Sequence, residues 1–267
     1  MAYTTIDNPS EHFNTATYTG TGGSHSITGL GFQPDLNWIK NRGTTNSHNW
    51  RDSTRGVTKV LASNLSVAEF TNAGYVTSFD SDGFSLADSG GDTNASSNTY
   101  VAWNWKANGG TTSSNTDGST TSTVQANTTA GFSVVNVPTT GSVLTAGHGL
   151  GKAPSAMFVK SRDKADYWAV YHSALGATKF LILNTTGAAG TASSLFNNTE
   201  PTSTVFTIGT ENAINNSGEN TIVYCFAEIK GYSKFGSYTG NGSTDGTFVY
   251  TGFKPAFVLF KDRKSVV

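Results

Sequence analysis

Gly29-Leu30-Gly31-Phe32-Gln33-Pro34-Asp35-Leu36-Asn37-Trp38-Ile39-Lys40-Asn41-Arg42 is written three times in this chain, and its copies set the frame for everything else. It returns as Gly149-Leu150-Gly151-Lys152-Ala153-Pro154-Ser155-Ala156-Met157-Phe158-Val159-Lys160-Ser161-Arg162. A third copy reads Gly252-Phe253-Lys254-Pro255-Ala256-Phe257-Val258-Leu259-Phe260-Lys261-Asp262-Arg263. In each, Lys and Arg stand six and eight residues after Pro and close an apolar run. A stretch that recurs in register marks a duplicated unit, so the repeat takes precedence over any local motif.

The pairs Pro34/Pro154, Lys40/Lys160, Arg42/Arg162, Gly56/Gly176, Lys59/Lys179 and Asn64/Asn184 are each 120 residues apart, so no gap interrupts that span. Further on, Thr99-Tyr100-Val101-Ala102-Trp103 matches Thr221-Ile222-Val223-Tyr224-Cys225 at an offset of 122, which implies a two-residue insertion between. Two tandem units of roughly 110 to 120 residues follow, an ordinary domain size. The expected division is an N-terminal arm over 1–13, a first unit over 14–107 and a Gly/Ser/Thr-rich linker over 108–130 that lets the units move. A second unit then covers 131–232, and 233–267 forms a partial third repeat or strands that complete the second.

Composition narrows the class. Of 267 residues, 36% are hydrophobic and 13% charged, the latter about half the usual fraction of roughly 25%. Thirty glycines and 12% aromatics suit short strands joined by tight turns. A net charge of −1 gives no electrostatic case for nucleic acid or an anionic membrane surface. One cysteine, Cys225, excludes an internal disulfide, and its apolar neighbours make it a small buried hydrophobe. No N-terminal stretch has the form of a signal peptide and no apolar run nears the ~18 residues that span a bilayer, so synthesis in a cytoplasm and no membrane insertion are expected.

Turn residues punctuate the chain at short intervals. Val76-Thr77-Ser78-Phe79 and Gly83-Phe84-Ser85-Leu86 alternate around Asp80-Ser81-Asp82-Gly83, which predicts a hairpin. Residues 66–72 alone have a composition that would pass for a helix. The fold class that follows is all-β: tandem antiparallel β-sandwich units, jelly-roll-like. In the second and third copies both faces of the strand after Pro are apolar. Either a contact beyond the unit's own core or a loop covering a central strand accounts for that.

Several groupings resemble chemistry. Gly147-His148-Gly149-Leu150-Gly151 has the look of an oxyanion loop, yet His148 aligns with Thr28 and Val249, so a turn explains it. His48, Asp52 and Ser53 invite a triad, but the second unit puts His172 where Asp52 stands. Asp80, Asp82, Asp88 and Asp92 could offer oxygens to Ca²⁺, without EF-hand spacing; a hairpin turn is the plainer reading. Lys40/Arg42 and their copies mark where a strand leaves the core. Trp50, Trp103, Trp105, Tyr167 and Trp168 could stack on sugars, anchor a partner or pack the core. No catalytic, cofactor-binding or metal residue is assigned.

The segments Phe32 to Arg42, Val76 to Phe84, Tyr100 to Ala107 and Tyr224 to Gly242 together resemble a domain of unknown function widespread in virion proteins of tailed phages, marine ones in particular. That resemblance implies a tail-fibre or other structural component of the virion, made in the host cytoplasm and involved in attachment to the host surface. It implies other virion proteins as partners, a homo-oligomer with a trimer favoured, and a host-surface glycan as a ligand. A capsid decoration protein and a carbohydrate-binding module are the alternatives, and an enzyme is not expected.

Overall fold

A computed structural model describes residues 4–87 and 90–264. The first unit contributes β1 (Phe13–Thr19), β2 (His25–Thr28), β3 (Leu36–Asn41), β4 (Asn49–Asp52), β5 (Lys59–Ala62), β6 (Phe70–Thr71), β7 (Val76–Asp80), β8 (Gly83–Leu86) and β9 (Thr99–Trp105). Next come β10 (Ser113–Asn115), β11 (Ser122–Asn127), β12 (Phe132–Pro138) and β13 (Leu144–Gly147). The remainder is β14 (Ala156–Ser161), β15 (Ala169–His172), β16 (Lys179–Ile182), β17 (Gly190–Thr191), the single helical turn α1 (Ser193–Phe196), β18 (Val205–Ile208) and β19 (Asn220–Phe226). All ladders between these strands are antiparallel, so the all-β expectation holds.

Six strands of the first unit run in the order β1-β9-β3-β4-β5-β6, and the corresponding six of the second run β12-β19-β14-β15-β16-β17. In both, the strand that comes last in sequence lies between the first and third, and β1 and β3 never touch each other's backbone. Against each large sheet lies a small one, β2-β8-β7 in the first unit and β13-β18 in the second. Ile27, Val76, Phe84 and Leu86 of the small sheet close on Ile39, Tyr100 and Ala102. In the second unit Leu144, Ala146, Phe206 and Ile208 close on Val135, Val137, Met157, Val159, Val223 and Cys225.

Alternation decides what the other face does. Leu36, Trp38, Trp50 and Trp105 point away from the first core, while Phe132, Val134, Trp168, Ile222 and Tyr224 point away from the second, and all of them meet in one cluster. The molecule is therefore four β-layers deep, with an aromatic seam between the two large sheets. Trp50 sits at its centre, 1% exposed, with ring centroids 5.3 Å from Trp168 and 5.0 Å from Tyr224. The two-sided apolar strands thus serve a contact beyond their own unit, and the contact is within the chain.

Polar groups fix the seam. Tyr224 Oη donates to Asp52 at 2.6 Å, Arg55 Nε lies 2.5 Å from the same carboxylate, and Arg55 Nη1 reaches Glu69 at 3.0 Å. Arg162 of the second unit grips Glu69 through Nε and Nη2 at 2.9 and 2.8 Å. Trp168 Nε1 donates to the Ala62 carbonyl at 3.0 Å, and Glu69 N to the Arg162 carbonyl at 2.7 Å. A charge taken out of water is costly unless paired in this way.

Several expectations need correction. Residues 108–130 are no mobile linker: β10 and β11 extend the second sheet beyond β12, and Gln125 Nε2 donates to Ser53 and Thr54 across the seam at 3.0 and 2.9 Å. Polar composition there reflects an edge, which needs small and hydrogen-bonding residues as much as a loop does. Residues 66–72 form no helix, and Phe70–Thr71 is an edge strand on β5; too short to nucleate alone, the segment follows the ladder. The offset of 122 for the last strand slips by one. Leu36 faces Trp105 and Ala156 faces Phe226, so Trp105 corresponds to Phe226 at 121, and a slip of one would turn every side chain to the wrong face.

The third copy makes no strand among its described residues; 233–264 runs irregularly over the surface, with Phe257 lodged on Phe13, Trp38, Trp103 and Trp105. Of the N-terminal arm, residues 4–12 hold a 3-10 turn at Pro9–Glu11 and bury Ile6, and Phe13 already belongs to β1. Trp50→Ala empties the middle of the seam and is expected to cost about 3–5 kcal/mol in urea unfolding. Fluorescence of the remaining tryptophans should report a single transition if the two units unfold together, and two transitions would separate them.

Candidate binding cleft

Where the two units and the C-terminal segment meet, a cleft of about 460 Å³ opens. Trp38, Lys40, His48, Ser63, Asn64 and Trp103 of the first unit form one wall. Leu183, Asn184, Thr185 and Thr186 of the second form the other, and Leu259 of the third copy closes the rim. The lining is an aromatic floor edged by amides, hydroxyls, one ammonium and one imidazole.

The repeat explains how each wall is held. Asn64 Oδ1 accepts from His48 N at 2.8 Å and Asn184 Oδ1 accepts from Trp168 N at 3.0 Å, the same clamp 120 residues apart. Lys40 Nζ folds back on the carbonyls of Asn41 and Thr44, both at 2.7 Å, and Lys160 does so on Ser161 at 2.9 Å and Lys164 at 2.7 Å. The lysine that ends each strand therefore caps the loop that follows it. Burial brings Lys160 down to about 8, against the opposing pull of Asp166.

Two buried polar atoms of lining residues stand out. Trp38 Nε1 and Ser63 Oγ have no hydrogen-bond partner in the protein, although Trp38 is 7% and Ser63 3% exposed. Buried donors are ordinarily paired, so these two atoms are exceptions, enclosed beneath the lining and not presented to it. Trp103 is half-buried and offers a ring at the cleft wall. Burial, then the Lys40 ammonium, holds the His48 imidazole below its ordinary value, which keeps it neutral and able to accept or donate one bond.

The other groupings have structural employment. His148 is fully buried, its Nδ1 accepting from Leu150 N and its Nε2 facing the Thr202 carbonyl, both at 3.2 Å, so it shapes the turn and presents no oxyanion donor. Asp52 is held by Arg55 and Tyr224, while Ser53 Oγ donates to Asp35 at 2.6 Å. Asp82 accepts from Gly29 N and Gly31 N at 3.0 and 2.6 Å, which ties the hairpin to the glycine turn and lowers its carboxyl. Asp80 accepts from Ser85 Oγ and Asp92 from Ser47 N. Asp88 lies outside the described residues. Among the described residues no cluster of His, Cys, Asp and Glu is placed to hold a metal.

Trp50, Trp105 and Trp168 pack the seam, Tyr167 lies against the second core, and only Trp103 reaches the cleft. Sequence reading missed Trp38, Ser63 and Leu183 as lining. The recurrence of Asn64 and Asn184 was the one signal that pointed there. Cys225 is buried against the second core, and burial pushes its thiol up.

Fold and cleft define a layered all-β protein with a depression where its two units and the C-terminal segment meet. The chain belongs to the family described as Domain of unknown function (DUF7483), whose model matches residues 8–266. No curated protein and no solved structure matches it.

A pH dependence follows from the histidines. Burial lowers His12, His48, His148 and His172 from 6.5, so each binds its proton less readily folded than unfolded. Their contribution to stability is complete above about pH 6.5 and is lost as pH falls through the folded values. Thermal midpoints measured from about pH 7.5 to about pH 5 should fall, and His148→Asn, which keeps an acceptor for Leu150 N, should reduce that fall.

Proposed function

We propose that the chain is a structural component of a phage virion, part of a tail fibre or similar appendage that takes part in host-surface attachment. The reading is supported by the resemblance of four of its segments to virion proteins and, above all, by the seam. Two sandwich units copied in tandem and joined face to face through Trp50, Trp168 and Tyr224 make a stiff body with little charge and a surface of Ser, Thr, Asn and Gly. Such a body suits load-bearing and display. Other virion proteins are its partners. A trimer would have to use surfaces other than the outer faces of β3 and β14, which the seam covers.

A capsid decoration role differs in stoichiometry, since copies per particle would then follow the capsid lattice. Immunogold electron microscopy of purified particles, with an antibody against this chain, should label the appendage. Labelling spread over the capsid would favour decoration, and its absence from mature particles would remove a virion role.

One observation favours a second reading, that of glycan binding. The cleft is lined by the Trp103 ring, 5.1 Å from that of Trp38, together with Ser63 and the amides of Asn64 and Asn184. A flat apolar ring with hydrogen-bonding groups at its edge is what a sugar face and its hydroxyls require. Trp103→Ala is expected to weaken binding of any glycan found on an array at least ~10-fold, through loss of about 1.4 kcal/mol or more. Silence of the wild-type chain across the array would count against this reading.

A further inference from the structure

The two large sheets have short edges, with one exception. They end in β6 and β17, of two residues each, in β10, of three, and in β1, of seven. β1 reads Phe13-Asn14-Thr15-Ala16-Thr17-Tyr18-Thr19, without a charge or a proline, and its ladder to β9 has no bulge. Proteins that stay monomeric blunt a long edge with lysine, proline, a bulge or brevity, because its unpaired main chain is a template for another strand. β1 carries none of these devices.

The ladder with β9 fixes which groups are unpaired. Lys106 N donates to His12 O at 2.9 Å and Gly20 N to Asn98 O at 2.8 Å, so the even-numbered residues between them turn their main chain toward β9. The main chain of Phe13, Thr15, Thr17 and Thr19 therefore faces outward. Thr15 N finds a substitute acceptor in Asn14 Oδ1 of its own strand, at 2.9 Å. Among the described residues no group bonds the outward main chain of Thr17 or Thr19. The side chains of Thr15, Thr17 and Thr19 are exposed as well, so the edge is open to solvent.

The duplication shows what such an edge takes. β12 is the counterpart of β1, with Phe132 paired to Phe226 as Phe13 is to Trp105, and its outer edge is laddered by β11. That covering strand, Ser122-Thr123-Val124-Gln125-Ala126-Asn127, is antiparallel, uncharged and rich in hydroxyls and amides. β1 is a strand of the same kind, so a copy of β1 has the chemistry that the β12 edge accepts.

We propose that β1 is an association edge, paired antiparallel with β1 of a second copy of this chain about a two-fold axis. The register that overlaps all seven residues sets Ala16 of one copy against Ala16 of the other, Thr15 against Thr17, Asn14 against Tyr18 and Phe13 against Thr19. Bonds are then exchanged only between residues whose main chain faces outward, Phe13 with Thr19 and Thr15 with Thr17, as an antiparallel ladder requires. The smallest side chain lies on the axis, no like charges meet, and threonine opposite threonine is a favourable cross-strand pair. Phe13 already packs at the margin of the seam, so the joined layer continues from it as one sheet with six strands from each copy. The contact is isologous and closes at two copies. It goes beyond the virion and glycan readings and rests on neither.

Sedimentation equilibrium of the full chain should show a monomer in exchange with a dimer between ~1 and ~100 µM. Thr17→Pro should weaken association at least ~10-fold with unchanged far-UV circular dichroism, because Pro at an outward position of an edge strand removes no bond to β9. Thr15→Lys with Thr17→Lys sets lysine against lysine and should abolish association, as should Thr15→Glu with Thr17→Glu, while an equimolar mixture of the two variants should recover a heterodimer. Amides of Thr17 and Thr19 should exchange ~10-fold or more slowly in the dimer than in the monomer. A chain that stays monomeric over the whole range, or a dimer indifferent to Thr17→Pro, would overturn the proposal. So would a dimer in which exchange slows around the exposed Phe248 and Tyr250 and not at β1, since the contact would then lie on the C-terminal segment. Should Thr17→Pro not fold, the lysine and glutamate variants decide: recovery of the heterodimer supports pairing through β1, and its failure overturns it. None of these results depends on whether antibody labels the virion, so failure here and failure of the virion assignment can be told apart.

Discussion

Each unit depends on a strand that is last in sequence and central in its sheet. β9 has β1 on one edge and β3 on the other, and β19 has β12 and β14, so the sheet closes only when the end of a unit returns to its beginning. The ladders Phe13↔Trp105 and Leu36↔Trp105 join residues far apart in the chain, a topology that links folding of the unit to its whole length. The same strand supplies both faces: Tyr100 and Ala102 go to the unit's own core, Trp103 and Trp105 to the seam. Removal of this one element would separate the flanking strands and uncover two hydrophobic layers.

The seam converts a duplication into one body. Because period-two alternation places Trp38 and Trp50 on the face that their own core does not use, the first large sheet must bury that face elsewhere. The second unit has the same excess in Phe158, Tyr224 and Phe226, and the two excesses cover each other. Charged groups then fix the angle of approach. Asp52, Arg55, Glu69 and Arg162 form a chain of pairs in which each ion is answered, and Tyr224 completes the carboxylate of Asp52. His172 stands at the matching place in the second unit, where its Nδ1 accepts from Ala174 N at 3.1 Å, so the two halves of the duplication have diverged at the position that carries the seam carboxylate.

Divergence elsewhere follows the same logic. In the first unit Asn37 donates to Asn104 across the ladder at 2.7 Å; Met157 and Cys225 occupy these positions in the second. A polar pair joined by one hydrogen bond, with Asn37 Oδ1 left unpaired, and an apolar pair fill the same space. Titratable residues that a motif search would select, His148, Asp82 and Lys160 among them, are spent on turns and strand ends. Each has a backbone partner.

The repeat, the antiparallel hairpin at Asp80 to Gly83 and the β character were legible from residue spacing alone, because turn chemistry and period-two alternation are local properties of the chain. The offset of 120 also picked out Asn64 and Asn184, which clamp the two cleft walls, and Lys40 and Lys160, which cap the loops after β3 and β14. Local pattern could not say that the polar stretch 108–130 contains strands, since an edge strand and a loop draw on the same small residues. It could not place the last strand to the residue, because register is set by the neighbours on either side. Tertiary structure alone decided that the second apolar face of one unit meets that of the other, and so brought Trp38, Ser63 and Leu183 to a single cleft. Burial of an apolar face is obligatory and readable in a sequence, but the choice of what covers it depends on contacts between distant residues.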